Sequence, residues 1–236
     1  MRDPTSNASQ WLGYLYNKHQ VDLIISDISK AFDKVNHEKV LLNLHDYGVR
    51  GQTLRWIKSF IDNRLQSVVL NGISSEAIPV SSGVPQWSVL GPLLFLAYIN
   101  DLPQNISSKV CIFADDTAVY LSLTSANESD TLQNDLKRLE EWELGWDMEF
   151  NSSKCQVIHV TRRKHPVPSQ YKLHGVLLES VTSAKYLGVD ISNNLSWDTH
   201  IKRSTKKANQ TLGFLRRNLQ VKSEPLKSMA YQTLVG

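Results

Sequence analysis

Two adjacent aspartates, Asp115 and Asp116, interrupt a run of β-forming residues. Cys111 and Phe113 precede the pair, and Val119, Tyr120 and Leu121 follow it. This pattern predicts a β-hairpin with two acids at its tip. Neighbouring carboxylates repel each other and cost stability unless a cation sits between them. Acids are also ordinary turn formers, and most acid pairs on tight turns do nothing more. The rest of the chain has to decide between the two readings.

The 236 residues, 41% of them hydrophobic, suffice for one large domain or one and a half with a real core. Two cysteines, Cys111 and Cys155, form no disulfide framework and fit a reducing, intracellular setting. The seven histidines are scattered without zinc-ligand spacing. The first twenty residues lack a signal-peptide pattern. The longest apolar run, Leu93 to Ile99, falls far short of the ~20 residues a membrane span needs and reads as a buried helix. The net charge of +3 conceals an asymmetry. Residues 1–153 hold 12 Lys and Arg against 19 Asp and Glu, and residues 154–236 hold 14 against 4. A basic final third on an acidic body is the footprint of a nucleic-acid grip, or of a solvated helix face.

Along the chain, residues 1–10 are expected to fray and a helix is expected around Trp11–Tyr16. Val21 to Ser26 reads as a strand ending at Asp27. Asn36 is a candidate N-cap for a helix burying Val40, Leu41, Leu44 and Tyr47 and closed by Gly48. Leu54, Ile57 and Ile61 mark a second helix, and Asn71-Gly72 marks a tight hairpin. A segment punctuated by Gly and Pro, residues 82–92, leads into the apolar helix. Ser125 and Glu128 form a capping box ahead of a helix with Leu132, Leu136, Leu139, Trp142 and Trp146 on one side. Strands follow at 155–161 and within 171–191. A long helix over 197–219 carries Ile201, Ala208, Leu212, Leu215 and Leu219 on its apolar side, and another helix starts near Ser223 and Pro225. Mixed strands and helices argue for an α+β layer.

Asp27 ends one strand, and Asp115 and Asp116 end another. Three carboxylates brought together could hold two Mg²⁺ ions, which would activate a hydroxyl and stabilise a leaving phosphate. Spacing alone leaves a nuclease and a polymerase open. Four segments occur in order: DISKAFDKVNH (27–37), SSGVPQWSVLGPLLFLAYINDLP (81–103), FADDTAVY (113–120) and FNSSKCQV (150–157). Together they resemble the reverse transcriptase domain of non-LTR (LINE-type) retrotransposons of the jockey/CR1 style, from about residue 20 to the end. AKYLGVDIS (184–192) and LSWDTHIK (195–202) extend the resemblance.

The resemblance implies a right-hand polymerase palm, an antiparallel sheet packed on helices, with the beginning of a helical thumb. It divides the chain into a remnant of fingers at 1–20, the palm at 21–192 and the basic start of a thumb at 193–236. It implies RNA-directed DNA synthesis with two Mg²⁺ ions, or Mn²⁺. An RNA template, a DNA primer and deoxynucleoside triphosphates would be the partners, with no membrane. The oligomeric state stays open. The setting would be intracellular, and nuclear for an active parent element. Asp27 and Asp115 match the metal-binding aspartates, Asp116 their acidic neighbour, and the Ile28 carbonyl completes a metal shell. Phe32 matches the gate that excludes a ribose 2′-hydroxyl, although an aromatic there also suits core packing. Gln86 matches the contact to the incoming nucleotide. Lys154 matches a proton donor to pyrophosphate, or serves as a simple counter-charge. Tyr186, Leu187 and Gly188 match the hairpin that grips the primer. On the basic helix, Lys202, Arg203, Lys206 and Lys207 are the candidate contacts to the nucleic-acid backbone.

The chain departs from that pattern in two places. The family reads Gly-Val-Pro-Gln-Gly-Ser where residues 83–88 read Gly83-Val84-Pro85-Gln86-Trp87-Ser88. A glycine allows backbone to approach a nucleotide closely, which an indole would block. One base change converts a glycine codon to tryptophan, so Trp87 reads as a lesion; stacking on a base is the other reading. The fingers that hold a triphosphate should lie largely upstream, with Lys18 the one nearby cation, and the thumb is cut at Gly236. A non-catalytic nucleic-acid-binding remnant or pseudogene product therefore stands as the first rival and a two-metal nuclease as the second.

Overall fold

A computed structural model of the chain describes residues 19–125, 127–218 and 223–234. The expected Trp11–Tyr16 helix, Lys18 and Leu219 lie outside the described residues. In chain order the elements are β1 (Gln20–Asp27), α1 (His37–Asp46), α2 (Gly51–Ile61), β2 (Arg64–Gln66), β3 (Val69–Leu70), β4 (Ile73–Ser74), β5 (Ile78–Val80) and α3 (Leu90–Ile99). Next come β6 (Lys109–Phe113), β7 (Asp116–Leu123), α4 (Asn127–Trp146), β8 (Gln156–Val160), β9 (Lys172–Leu173), β10 (Val176–Leu177) and β11 (Glu179–Ser180). The hairpin of β12 (Ser183–Tyr186) and β13 (Val189–Ser192) is followed by α5 (Asp198–Asn218) and α6 (Glu224–Leu234). The chain divides into two compact units, one ending at Val181 and one beginning at Thr182. The Tyr186 hairpin, expected at the end of the palm, thus belongs to the second unit together with α5.

The first unit is built on a five-stranded sheet in the order β11-β8-β1-β7-β6. Four of these strands pair antiparallel, as expected; β11 adds a parallel edge beside β8. β1 is central because its run of Val, Leu and Ile suits a pleated surface buried on both sides: Val21, Leu23 and Ile24 are all buried. Ile24, Val119 and Val157 face helix residues Phe95, Tyr98, Leu132, Leu136 and Leu139 in one continuous core. Each fully buried aliphatic side chain of this kind contributes roughly 1.5–3 kcal/mol.

Asp22 sits in the middle of that strand and is completely buried. An unpartnered carboxylate there would be prohibitively costly. Instead Oδ1 accepts from Gln20 Nε2 (2.8 Å) and His159 Nδ1 (2.9 Å), and Oδ2 accepts from Ser169 Oγ (2.5 Å) and Tyr171 OH (2.7 Å). Burial pushes Asp22 up, but the bonds from His159, Ser169 and Tyr171 outweigh it and hold the carboxyl below its usual range. Asp135 on α4 is also buried among donors. It accepts from the Ser107 and Ser108 amides (3.1 and 2.7 Å), Ser108 Oγ (2.6 Å) and Arg138 (2.9 Å), and so ties the helix to the start of β6.

The local signals act as their chemistry predicts. Asn36 Oδ1 accepts from the Glu38 and Lys39 amides and caps α1. Asn71 and Gly72, with φ of 52° and 81°, close the β3–β4 hairpin. Glu128 reaches back to the Ser125 amide (2.8 Å) and Thr124 Oγ1 (2.8 Å) ahead of α4. Four apolar residues face outward against expectation. Tyr47 is exposed at the C-cap of α1, where the helix has already ended. Leu93 and Leu96 lie on the outer side of α3, so that helix buries only Gly91, Leu94, Phe95, Tyr98 and Ile99. On α5 Leu215 is buried while Ile201 is exposed.

Candidate active site

The strand order brings the acids of two separate segments to one end of the sheet. Asp27, the last residue of β1, pairs across the ladder with Asp116, the first residue of β7. One residue on, the Ile28 amide donates to the Asp115 carbonyl at 3.3 Å. Ala114, at φ 52°, and Asp115 make the two-residue connection between β6 and β7. A third segment joins them. The Asn151 amide donates to the Asp27 carbonyl (2.8 Å), the Ser29 amide donates to the Glu149 carbonyl (2.7 Å), and Ile28 bridges Phe150. The buried carboxylate of Glu143 holds this segment from behind by accepting from the Phe150 amide and from His174 Nε2 (2.6 Å for the histidine). Burial pushes Glu143 above its usual range.

A tight turn follows, with the Lys154 amide donating to the Asn151 carbonyl at 2.9 Å. It aims Lys154 at the acids: Nζ donates to Asp27 Oδ2 at 2.8 Å. That bond and the charge of Asp27 hold the ammonium above its usual range, and Asp115 adds to the effect. Asp27, Ser29, Lys30, Lys34, Asn151 and Lys154 line a cleft of about 340 Å³.

A second cleft, of about 500 Å³, shares Lys30 with the first and is lined by Asp33, Arg64, Gly83 and Gln86. Phe32 is half-buried, its ring stacked on that of Phe95 at 4.5 Å between centroids. Phe32 therefore packs on the core while remaining partly accessible. The loop at 82–88 is bonded to the Phe32–Val35 stretch along its length. Gly83 and Val84 amides donate to the Val35 and Phe32 carbonyls (2.8 and 2.9 Å), and Ser82 Oγ donates to the Asp33 carbonyl (2.9 Å). Gln86 Nε2 donates to Asp33 Oδ1 at 2.8 Å. Gly83 makes the approach feasible: at φ 85°, a Cβ there would lie 2.8 Å from the Asp33 carbonyl oxygen.

Trp87 adopts φ 60° with its indole wholly exposed to solvent. The glycine expected here therefore has a second purpose: it occupies a left-handed backbone that side chains disfavour.

In the second unit, Leu187 and Gly188, at φ 49° and 85°, form the tight turn between Tyr186 and Val189. Tyr186 is buried. The basic helix α5 carries exposed Lys202, Lys206 and Lys207, which enter no ion pair among the described residues. Arg203 differs from them. It is bonded to the buried carboxylate of Asp190 on β13, and so fastens α5 to the hairpin. Its guanidinium, expected to meet the nucleic-acid backbone, is engaged by Asp190 in this structure. No local pattern signals this pair, nor two further residues in the first unit, His37 and Arg64, which both donate to the Gly83 carbonyl (2.8 and 2.6 Å).

Asp27 and Asp115 offer the hard oxygen donors that divalent cations take. Among the described residues no group of three or more His, Cys, Asp or Glu is placed to hold a metal. A pair of carboxylates still fits a divalent ion that completes its shell with substrate phosphates. No helix among the described residues is long and apolar enough to cross a membrane.

The family described as Reverse transcriptase (RNA-dependent DNA polymerase) matches residues 6–191. The RNA-directed DNA polymerase from mobile element jockey of Drosophila funebris is 34% identical over 184 residues, covering 74% of this chain and 20% of its own length. The jockey protein of Drosophila melanogaster is 30% identical over the same share of each. The chain thus spans about one fifth of the length of these curated relatives. Among solved structures, an apo telomerase from Candida tropicalis covers 84% of this chain and 40% of its own, with a TM-score of 0.54 and 13% identity. A Candida albicans telomerase bound to a fragment of telomeric RNA covers 83% and 34%, with a TM-score of 0.56 and 14% identity. These two bear on the fold, and they agree with an α+β polymerase palm. Reverse transcriptases as a family use divalent metal ions. By the match over most of its length, and by its jockey relatives, the chain belongs to the reverse transcriptase family of non-LTR retrotransposons.

Proposed function

We propose that this chain is the palm of an RNA-directed DNA polymerase that extends a DNA primer on an RNA template with deoxynucleoside triphosphates. The observation that carries the reading is the rung at the sheet end. Asp27 opposes Asp116, the Ile28 amide meets the Asp115 carbonyl, and Lys154 reaches Asp27. Asp27, Asp115 and the Ile28 carbonyl would hold Mg²⁺, which when bound lowers the pKa of the primer hydroxyl and neutralises the leaving phosphate. Mn²⁺ would take the same donors. Phe32, braced by Phe95, would close over the sugar, and Gln86 would meet the nucleotide base. Lys154, reaching Asp27 at 2.8 Å, would place a positive charge beside the phosphates or give a proton to the leaving pyrophosphate. Tyr186, Leu187 and Gly188 would contact the primer, and Lys202, Lys206 and Lys207 the nucleic-acid backbone. Trp87 would impair this copy by crowding the nucleotide.

The test is Mn²⁺ binding to the Trp87→Gly chain read by electron paramagnetic resonance, with a primer annealed to RNA and the matched nucleotide. The expected result is a nucleotide-dependent bound signal that Asp27→Asn and Asp115→Asn each remove. A signal equal in all three proteins would contradict the proposal.

A further inference from the structure

The loop carrying Gln86 is held more firmly than its exposure suggests. Its Gly83 carbonyl receives two donors, His37 Nε2 at 2.8 Å and Arg64 Nη2 at 2.6 Å. Arg64 is itself tied down, since its Nε donates to the Ile61 carbonyl at the end of α2 at 2.9 Å. His37 is buried at the start of α1 with Asp62 behind its other nitrogen at 3.6 Å. A carbonyl gripped by a guanidinium from one helix end and an imidazole from another cannot shift without breaking both bonds. Three residues further on, the Gln86 side chain donates Nε2 to Asp33 Oδ1. An amide that gives a hydrogen to a carboxylate has its orientation fixed, because the flipped amide would set oxygen against oxygen. Gln86 therefore presents its carbonyl Oε1 as the outward group.

We infer that Arg64, His37 and Asp33 are positioning residues for nucleotide recognition: the first two fix the loop at Gly83, and Asp33 aims the Gln86 amide. This rests on the proposed polymerase reading for the identity of the ligand, a deoxynucleoside triphosphate. The arrangement also joins the loop to Phe32 through the Val84 amide, so the sugar side and base side of the cleft move as one body.

The experiment uses the full chain carrying Trp87→Gly as the parent, so that no indole crowds the nucleotide, labelled with ¹⁵N-glutamine and with the Gln86 side-chain resonance assigned by its loss in Gln86→Ala. Asp33→Ala and Arg64→Lys are compared with the parent for that resonance, for melting temperature, and for binding of the matched nucleotide to a primer–RNA duplex with a chain-terminated primer. In Asp33→Ala the Gln86 amide is expected to move to its solvent position with an unchanged melting temperature. Nucleotide affinity should fall about fivefold, the worth of one hydrogen bond. Arg64→Lys, which keeps the charge but not the fork onto two carbonyls, should broaden the same resonance. An unmoved amide in Asp33→Ala overturns the inference. So does a moved amide with unchanged nucleotide affinity. A parent chain that binds no nucleotide refutes the polymerase reading and with it the recognition role, whatever the amide does.

Discussion

Lys154 donates to Asp27 across 127 residues of chain, at 2.8 Å. The contact exists because β1 continues past Asp27 as a short pairing with Glu149–Asn151, and the turn after Asn151 points Lys154 back over the strand end. Asp27 is thereby the meeting point of three segments. Its partner lysine should titrate above the usual lysine range, since Asp27 favours the charged form. In Asp27→Asn the Lys154 titration, followed by NMR of labelled lysine, should fall back toward the ordinary value. A titration unmoved by that substitution would show that the pair does not form in solution.

Asp22 should make the fold acid-labile. Its carboxyl is held below the usual range in the folded chain, so its stabilising effect is complete at neutral pH and is lost as pH falls through the folded value. Asp22→Ala leaves four donors without their acceptor inside the sheet and should cost about 3–5 kcal/mol. Urea midpoints measured from pH 7 to pH 3 should fall steeply in the parent, and much less in Asp22→Asn.

Arg203 and its lysine neighbours should separate by phenotype. Changing Lys202, Lys206 and Lys207 to alanine removes only exposed charge. It should reduce the salt dependence of nucleic-acid binding by roughly one unit of slope per lost phosphate contact, with the melting temperature unchanged. Arg203→Ala leaves the buried Asp190 carboxylate with His200 at 3.5 Å in place of a bonded guanidinium and should loosen the second unit. Equal loss of stability from both substitutions would contradict the assignment.

Trp87→Gly should stabilise the chain. The indole buries nothing, and relief of the left-handed strain is worth roughly 1–2 kcal/mol, against about 0.5–1 kcal/mol for the extra freedom glycine has when unfolded. The net gain should raise the melting midpoint by about 2 °C. A lower midpoint would mean that the side chain has partners of its own.

Much of the fold was legible because its signals are local. The Asn36 cap, the Asn71-Gly72 turn, the spacing of Leu132, Leu136 and Leu139, and the acid hairpin at Asp115 each act over a few residues. Asp27 was legible as the end of an apolar run. The parts that were not legible depend on partners distant in sequence. Asp22 reads as a polar interruption of a strand until Ser169 and Tyr171, 147 and 149 residues away, come over it. Arg203 sits in a basic cluster whose lysines enter no ion pair among the described residues, and only the position of Asp190 tells it apart. His37 and Arg64 act through a backbone carbonyl, which carries no sequence signature at all. Trp87 was legible as a departure, but the left-handed backbone beneath it was not.

RNA-templated primer extension tests the central claim, that Asp27 and Asp115 form a nucleotidyl-transfer site, most directly. The upstream residues of a jockey-type relative would be joined before residue 20, with Trp87 either kept or changed to glycine, and each version would also be made with Asp27→Asn. The account predicts extension by the glycine version, little by the tryptophan version and none by either Asp27→Asn protein. Extension that survives Asp27→Asn, or a glycine version that binds template and Mg²⁺ yet adds no nucleotide, would contradict it.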